Sequence, residues 1–361
     1  MGMKIRELQC RIRTMDLREP YRISYESVEK CENVFLRIRT EKGLVGMGCA
    51  APDLNVTGET AADVLHAFES VIEPFLRNSE VFEYSRIMEK LNHEMPSGPS
   101  ARAMVDMALF DLMAQQAGVP LYRFLGGYRR TISTSVTIGI MPLQETLGRA
   151  KHYLGLGFRI LKLKGGIRVD EDIEKVNKLR QLAGRHVRIR FDANQGYTLE
   201  DSLKFIEGIR HAGLELLEQP TARDDLELLK QVTQRVPVPV MADESLLSLS
   251  DVFRLTRNDC SDLINIKLMK TGGILEAMTI NSVARAAGVQ AMVGCMDESE
   301  LGITAGLHFA LSRPNVRYAD LDGHLDLVED PFRGMLKLKD GVLYPPHSAG
   351  LGWTPLGEGD F

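Results

Sequence analysis

The sequence predicts an α/β fold, a (β/α)8-type barrel joined to an α+β unit at its N-terminal side, and three observations carry that prediction. From Thr134 to Asp322, short apolar runs alternate with longer amphipathic stretches, the order in which strands and helices follow one another in a parallel sheet. The runs end at Ile138, Lys164, Asp192, Glu218, Asp243, Lys267, Gly294 and Asp320, at intervals of 24 to 28 residues, enough for one strand, one helix and two loops. Eight such βα units are the number that closes a barrel. The total of 361 residues allows either two domains or one large barrel with an elaboration, at roughly 100–200 residues per domain.

Taken in order, the chain opens with strand patterns. KIRELQCRIRTM alternates in polarity, and NVFLRIRT-EKG-LVGMGCA reads as two strands around a short glycine turn, so an antiparallel sheet is expected up to about Ala50. After Thr57-Gly58-Glu59-Thr60 the spacing becomes helical, first over Ala61–Leu76 and again over Ser100–Ala117, where Met104, Ala108 and Leu112 recur every four residues before Gly118-Val119-Pro120. Residues 1–128 therefore read as an α+β unit and 129–329 as the barrel. The remaining segment, 330–361, carries a hairpin (GMLKLK-DG-VLYPP) expected to pack back on the N-terminal unit, because a closed barrel offers no edge.

Composition narrows the function. Lys and Arg number 44 against 49 Asp and Glu, a formal charge of −5, so no polycationic surface exists for nucleic acid. No apolar run approaches the ~18 residues of a membrane span, and no membrane partner is expected. The N-terminus lacks the continuous apolar stretch of a signal peptide, and the five cysteines (10, 31, 49, 260 and 295) are scattered without a C-x-x-C pair. A cytoplasmic protein with reduced thiols is expected.

The run ends hold the chemistry, since the C-terminal ends of barrel strands carry the active sites of this architecture. Asp192, Glu218 and Asp243 end three successive units and form an all-oxygen set that suits Mg²⁺, with Mn²⁺ as a substitute, rather than zinc. Lys162 and Lys164, two apart, point into the barrel from one strand, and Lys267 stands three units further on. Two ammonium groups ~4 Å apart repel by about 4 kcal/mol at an effective dielectric of ~20, or about three pKa units, so one lysine is expected to be neutral and to serve as a base. Lysines on both sides of a metal-held carboxylate suit removal of the proton α to that carboxylate, and return of a proton on the opposite face inverts the carbon. One feature resists simple alternation: Arg188 and Arg190 share the inward face with Asp192, so either they neutralise carboxylates lower in the barrel or a bulge shifts the register.

In that order and spacing, KLKGG, RFDANQG, LLEQP, ADES and INIKLMKTGG resemble the enolase superfamily, muconate-lactonizing-enzyme subgroup, over nearly the whole chain. The resemblance implies an N-terminal capping domain completed by the C-terminal segment. It assigns Asp192, Glu218 and Asp243 to Mg²⁺, Lys164 and Lys267 to acid/base work, and Lys162 to electrostatic support. ADLDG resembles the D-x-D signature of dipeptide epimerases within that subgroup, and implies a dipeptide substrate whose α-ammonium is gripped by Asp320 and Asp322. A D-x-D before glycine is also a common turn.

For the side chain of the substrate, Asp297, Asp53 and Glu26 would favour a dipeptide containing Lys or Arg, whereas Arg22 could hold a carboxylate. Asp297 as a helix N-cap and Asp53 as a solvated residue are equally open. The expectation is thus a Mg²⁺-dependent dipeptide epimerase that inverts Cα of the C-terminal residue by a two-base 1,1-proton transfer, assembled as a homo-oligomer. The alternatives are an N-acyl amino acid racemase or o-succinylbenzoate synthase of the same subgroup and, from another class, a non-catalytic carboxylate-binding protein.

Overall fold

The structure is a computed structural model describing residues 2–22 and 27–354. Alternating apolar residues build a three-stranded antiparallel sheet from β1 (Ile5–Arg22), β2 (Ser27–Thr40) and β3 (Val45–Ala50), in that order. The two glycines of VGMGCA let β3 lie against the helix Pro99–Gln116: a Cβ on Gly48 would fall 1.9 Å from the Met104 carbonyl oxygen. Helical residues 61–76 begin at a Thr60–Asp63 capping box and run through a π turn at Phe68–Ile72. Their apolar side, with Val64, Phe68, Ile72 and Leu76, is buried in the core shared with the sheet.

A short strand, β4 (Ile132–Ser133), leads into the barrel, whose parallel strands are β5 (Val136–Ile138), β6 (Ile160–Lys164), β7 (Arg188–Asp192), β8 (Leu214–Glu218), β9 (Val240–Ala242), β10 (Leu263–Ile266), β11 (Gln290–Val293) and β12 (Val316–Ala319). Each pairs with its sequence neighbour. Closure comes from Thr134, which bridges Ala319 in parallel, and from the Ser135 N–H, 3.2 Å from the Ala319 carbonyl. Four of the run ends coincide with strand ends, and Asp243, Lys267, Gly294 and Asp320 stand one residue beyond.

One expectation is corrected. Among the described residues seven of the eight barrel strands lead into helix, β10 into two (Leu268–Thr271 and Ile274–Ala286), and nothing helical succeeds β12. The sequence after it, LDGHLDLVEDPFRG, contains no sustained three-and-four apolar spacing and is stopped by Pro331. It returns to the N-terminal sheet instead: Leu327 bridges Leu17, and the Arg18 N–H donates to the Asp326 carbonyl at 2.8 Å. The C-terminal hairpin, β13 (Lys337–Lys339) and β14 (Val342–Tyr344), also departs from expectation by pairing with β4 at the entrance to the barrel. Beyond it, Gly350 bridges Pro120 and the Trp353 indole donates to Asp111, so this later stretch does reach the N-terminal unit.

The Arg188/Arg190 conflict resolves both ways. The β7–β8 register shifts between Ile189 and Arg190, and Glu215 of β8 takes Arg190 at 2.7 Å and Arg188 at 3.1 Å. Arg190 lies fully buried in the barrel, over the Tyr318 ring, and donates to Ser135 Oγ and the Ala319 carbonyl. No helix among the described residues is long and apolar enough to cross a membrane.

Candidate active site

Five neighbouring strands deliver the acidic and basic run ends to one mouth of the barrel. Lys164 is opposite Asp192, and Asp192 opposite Glu218, in the β6–β7–β8 register, which brings the C-terminal residues of three strands level. Oxygens of Asp192, Glu218 and Asp243 lie within 4.8 Å of one another, and all three residues are buried. Glu218 Oε2 and Asp243 Oδ2 are completely buried and meet only ammonium groups, Lys162 and Lys267, each at 2.8 Å. Oxygen atoms in this state are what a divalent cation satisfies, and the triad fits Mg²⁺.

The lysines occupy the ends and the centre of that row. Lys164 Nζ is 2.8 Å from Asp192 Oδ2, and Lys267 Nζ is 2.8 Å from Asp243 Oδ2. Lys162, fully buried, lies 2.8 Å from both Glu218 Oε2 and Asp320 Oδ2 and 3.0 Å from Asp192 Oδ2. Burial by itself lowers the pKa of Lys162, but Asp192, Asp320 and Glu218 outweigh it and raise the ammonium well above the ordinary lysine value. Lys267 is raised in the same way against its burial, chiefly by Asp243. Around Lys162 and Lys267 the carboxylates, rather than repulsion between lysines, thus dominate the local field, and a divalent cation held by the three acidic residues would offset that field and favour release of a lysine proton. On the acidic side, burial and the neighbouring carboxylates push Glu218 up to about 8 in spite of Lys162. Asp243 resists its burial and is held far below the carboxylate range by Lys267, Lys270 and Lys162.

Asp320 and Asp322 do not lie on a strand as expected but in the loop just beyond β12. They still converge on the site. Asp320 accepts from Ser135 Oγ at 2.6 Å and from Lys162, and despite burial these partners bring it down to about 2. Asp322 accepts the Thr137 N–H at 2.6 Å; burial and the Asp320 charge push it up to about 7. A pair made of one firmly charged carboxylate and one short of a cation is suited to an added ammonium group.

Above the triad a cavity of about 730 Å³ is lined by Lys162, Lys164, Lys267, Asp320, Asp322, Asp297 and Asp53, together with residues of β1 and β2. Asp297 is not a helix cap, since Ser299 caps the helix Glu300–Ser312; its carboxylate accepts from the Tyr21 hydroxyl at 2.7 Å. Asp53 spends Oδ1 on the N–H groups of Asn55 and Val56, shaping its own turn at the cavity rim. Arg22 does not line this cavity. It is exposed beside an adjoining groove, with its carbonyl on the Ile140 N–H. Glu26 lies outside the described residues.

Three polar residues of the site went unnoticed in the sequence. Ser135 supports Asp320, Asn265 donates to Glu218 Oε1 at 2.9 Å, and Lys270 is bound to Asp243. Asn265 stands two residues before Lys267, and strand alternation alone puts both on the inner face. Lys270 is one helical turn past Lys267, in the turn Leu268–Thr271.

Sequence comparison now adds the ancestry. Residues 5–126 match the N-terminal domain of mandelate racemase / muconate lactonizing enzyme, and residues 145–358 match the enolase C-terminal domain-like family. The chain belongs to the mandelate racemase / muconate lactonizing enzyme family of the enolase superfamily. Among its relatives in this family, the L-Lys-D/L-Arg epimerase of Methylococcus capsulatus is 40% identical over 97% of this chain and 99% of its own. The L-Ala-D/L-Glu epimerase of Bacillus subtilis is 39% identical over 97% and 96%. The substrate-liganded structure of the Bacillus enzyme superposes with a TM-score of 0.96 at 38% identity, covering 98% of this chain and all of the other. A Methylococcus capsulatus dipeptide epimerase complexed with Mg and L-Arg-D-Lys gives 0.93 at 39% identity, with 98% and 100% covered.

Proposed function

We propose that the protein is a Mg²⁺-dependent dipeptide epimerase that inverts Cα of the C-terminal residue and acts on dipeptides containing Lys or Arg. The observation that carries the reaction is the placement of Lys164 and Lys267 on carboxylates at opposite ends of one metal-binding row, with the D-x-D pair alongside. Asp192, Glu218 and Asp243 would hold Mg²⁺, which supplies positive charge to the substrate carboxylate and so acidifies the neighbouring α-proton. Lys164 and Lys267 then work as an acid/base pair on opposite faces of that carbon, one removing the proton and the other returning one. Lys162, held charged by three carboxylates, adds a fixed positive charge between them. Asp320 and Asp322 accept the α-ammonium.

The cationic preference rests on the cavity wall. Ten carboxylates line it against five Lys and Arg residues, even without the three of the metal row. Asp297 and Asp53 belong to that excess. The test is incubation with a dipeptide library in D₂O, followed by mass spectrometry and chiral analysis. Deuterium and inversion at Cα of the C-terminal residue, strongest for free dipeptides with Lys or Arg, are expected. Turnover of N-succinyl or N-acyl amino acids in preference to free dipeptides would replace this reading with that of a racemase, the activity named for the N-succinyl-L-Arg/Lys racemase of Bacillus cereus, 28% identical over 91% of this chain. Binding without deuterium uptake from any substrate would make it a carboxylate-binding protein.

A further inference from the structure

Each carboxylate of the metal row has one oxygen already engaged by a residue other than Lys162, Lys164 and Lys267. Asp192 Oδ1 accepts the Asn194 N–H at 2.9 Å, Glu218 Oε1 accepts Asn265 Nδ2 at 2.9 Å, and Asp243 Oδ1 accepts from Lys270 Nζ. The other three oxygens, Asp192 Oδ2, Glu218 Oε2 and Asp243 Oδ2, are the ones that meet Lys162, Lys164 and Lys267. The carboxylates are thus pinned so that each turns a single oxygen inward.

Lys270 is unlike the other lysines of the site. It is fully buried, does not line the cavity, and its three donors have three acceptors: Asp243 Oδ1, the Asp243 carbonyl at 2.6 Å and the Asn265 carbonyl at 3.2 Å. No donor is left for a substrate. Asn265 is equally enclosed: its side-chain amide holds Glu218, its main-chain carbonyl holds Lys270, and a Cβ on Gly294 would lie 2.6 Å from its Oδ1. The two residues form a continuous brace under Glu218 and Asp243.

We propose that Lys270 and Asn265 are positioning residues which restrict Asp243 and Glu218 to one oxygen each toward a divalent ion and thereby set a preference for Mg²⁺ over Ca²⁺. This rests on reading the three carboxylates as the metal site. The physical ground is the difference between the ions: Ca²⁺ takes 6–8 oxygens and accepts a carboxylate through both, whereas Mg²⁺ demands a near-octahedral set with shorter bonds. A row that offers one oxygen per carboxylate serves Mg²⁺ well and leaves Ca²⁺ short of ligands. Freeing Oε1 of Glu218 or Oδ1 of Asp243 removes that handicap, and it also loosens the side chain that Mg²⁺ needs held still.

The experiment compares direct binding of Mg²⁺, Mn²⁺ and Ca²⁺ to the purified protein and to Asn265→Leu and Lys270→Met, by titration calorimetry and by the electron paramagnetic resonance of Mn²⁺, without substrate. Both variants are expected to lose about 10–100-fold in Mg²⁺ affinity and less in Ca²⁺ affinity, so that the Ca²⁺/Mg²⁺ ratio rises. An unchanged ratio in a folded variant overturns the inference while leaving the metal site standing. Failure of the parent protein to bind Mg²⁺ or Mn²⁺ overturns the metal reading and this inference with it. Asn265→Leu changes no charge and keeps the number and branching of side-chain heavy atoms, so it decides the matter if Lys270→Met, which removes one of the two lysines paired with the buried Asp243, does not fold.

Discussion

Lys164 and Lys267 meet different carboxylates, Asp192 and Asp243, and that makes them separable by mutation. If each faces one side of the substrate α-carbon, each can remove the proton from only one of the two epimers. Replacing either lysine by alanine is therefore expected to abolish inversion, with a loss of at least about 10³-fold in line with the removal of a positioned acid/base. Exchange with solvent should survive in part. Lys164→Ala should incorporate deuterium into one epimer and Lys267→Ala into the other, as read by mass spectrometry of each epimer separately in D₂O. Retention of inversion in either variant would show that one base suffices. At this scale the sequence was most informative where a charged residue closes an apolar run, because a charge at the end of a buried strand has few reasons to be there. It was least informative where a partner is distant: Lys162 is 158 residues from Asp320, and nothing local announces that ion pair. Repulsion between lysines was likewise only part of the local field, since the fold gathers four carboxylates around Lys162.

Among the elements, the helix Pro99–Gln116 joins the two halves of the molecule. Its Asp106 accepts the N–H groups of Ile274 and Leu275, at 2.5 and 3.3 Å, and so caps the barrel helix Ile274–Ala286, while Asp111 accepts from Met47, Leu351 and the Trp353 indole. Gly273 is required beside it, with φ of 111° and room for no Cβ against the Asp106 carboxylate. The helical period of this segment was legible, but its two aspartates read as ordinary polar positions; the task of Asp106 depends on a helix start 168 residues away, and that of Asp111 on Leu351, 240 residues away. Burial raises both carboxyls, Asp106 to about 7 against the pull of its N–H partners and Asp111 to about 6. The folded protein thus keeps these protons to higher pH than the unfolded chain, whose carboxyls titrate near pH 4. Between about pH 4 and pH 7, ionisation costs the folded state more, and the contribution of these two groups to stability declines as pH rises. Asp106→Asn, which cannot ionise and still places an oxygen toward the helix N-terminus, should flatten that slope in denaturant unfolding measured at pH 5, 6, 7 and 8. A slope identical to that of the parent protein would mean that Asp106 is already charged throughout.

For the whole molecule, the modest formal charge of −5 conceals an uneven distribution. The cavity wall alone carries ten Asp or Glu and five Lys or Arg residues, an excess of acidic groups concentrated where the N-terminal sheet meets the barrel mouth. A concave, low-dielectric wall focuses such a field, and it acts on a substrate before contact is made. The −5 that at first serves only to exclude nucleic acid therefore becomes an attractive potential for a small cation. Screening offers the means to test it, because the Debye length falls from ~30 Å at 0.01 M salt to ~3 Å at 1 M. kcat/KM for a dipeptide of Lys and Arg should fall several-fold between low and high ionic strength at fixed free Mg²⁺, whereas a dipeptide of two neutral residues should respond far less, since its own charges cancel. The comparison of the two substrates in the same salt series removes any effect of salt on the metal or on the protein's stability, which both substrates share. Parallel salt responses would place the specificity in close contacts, of the kind Asp297 could make on exchanging the Tyr21 hydroxyl for a guanidinium, and not in the field of the cavity.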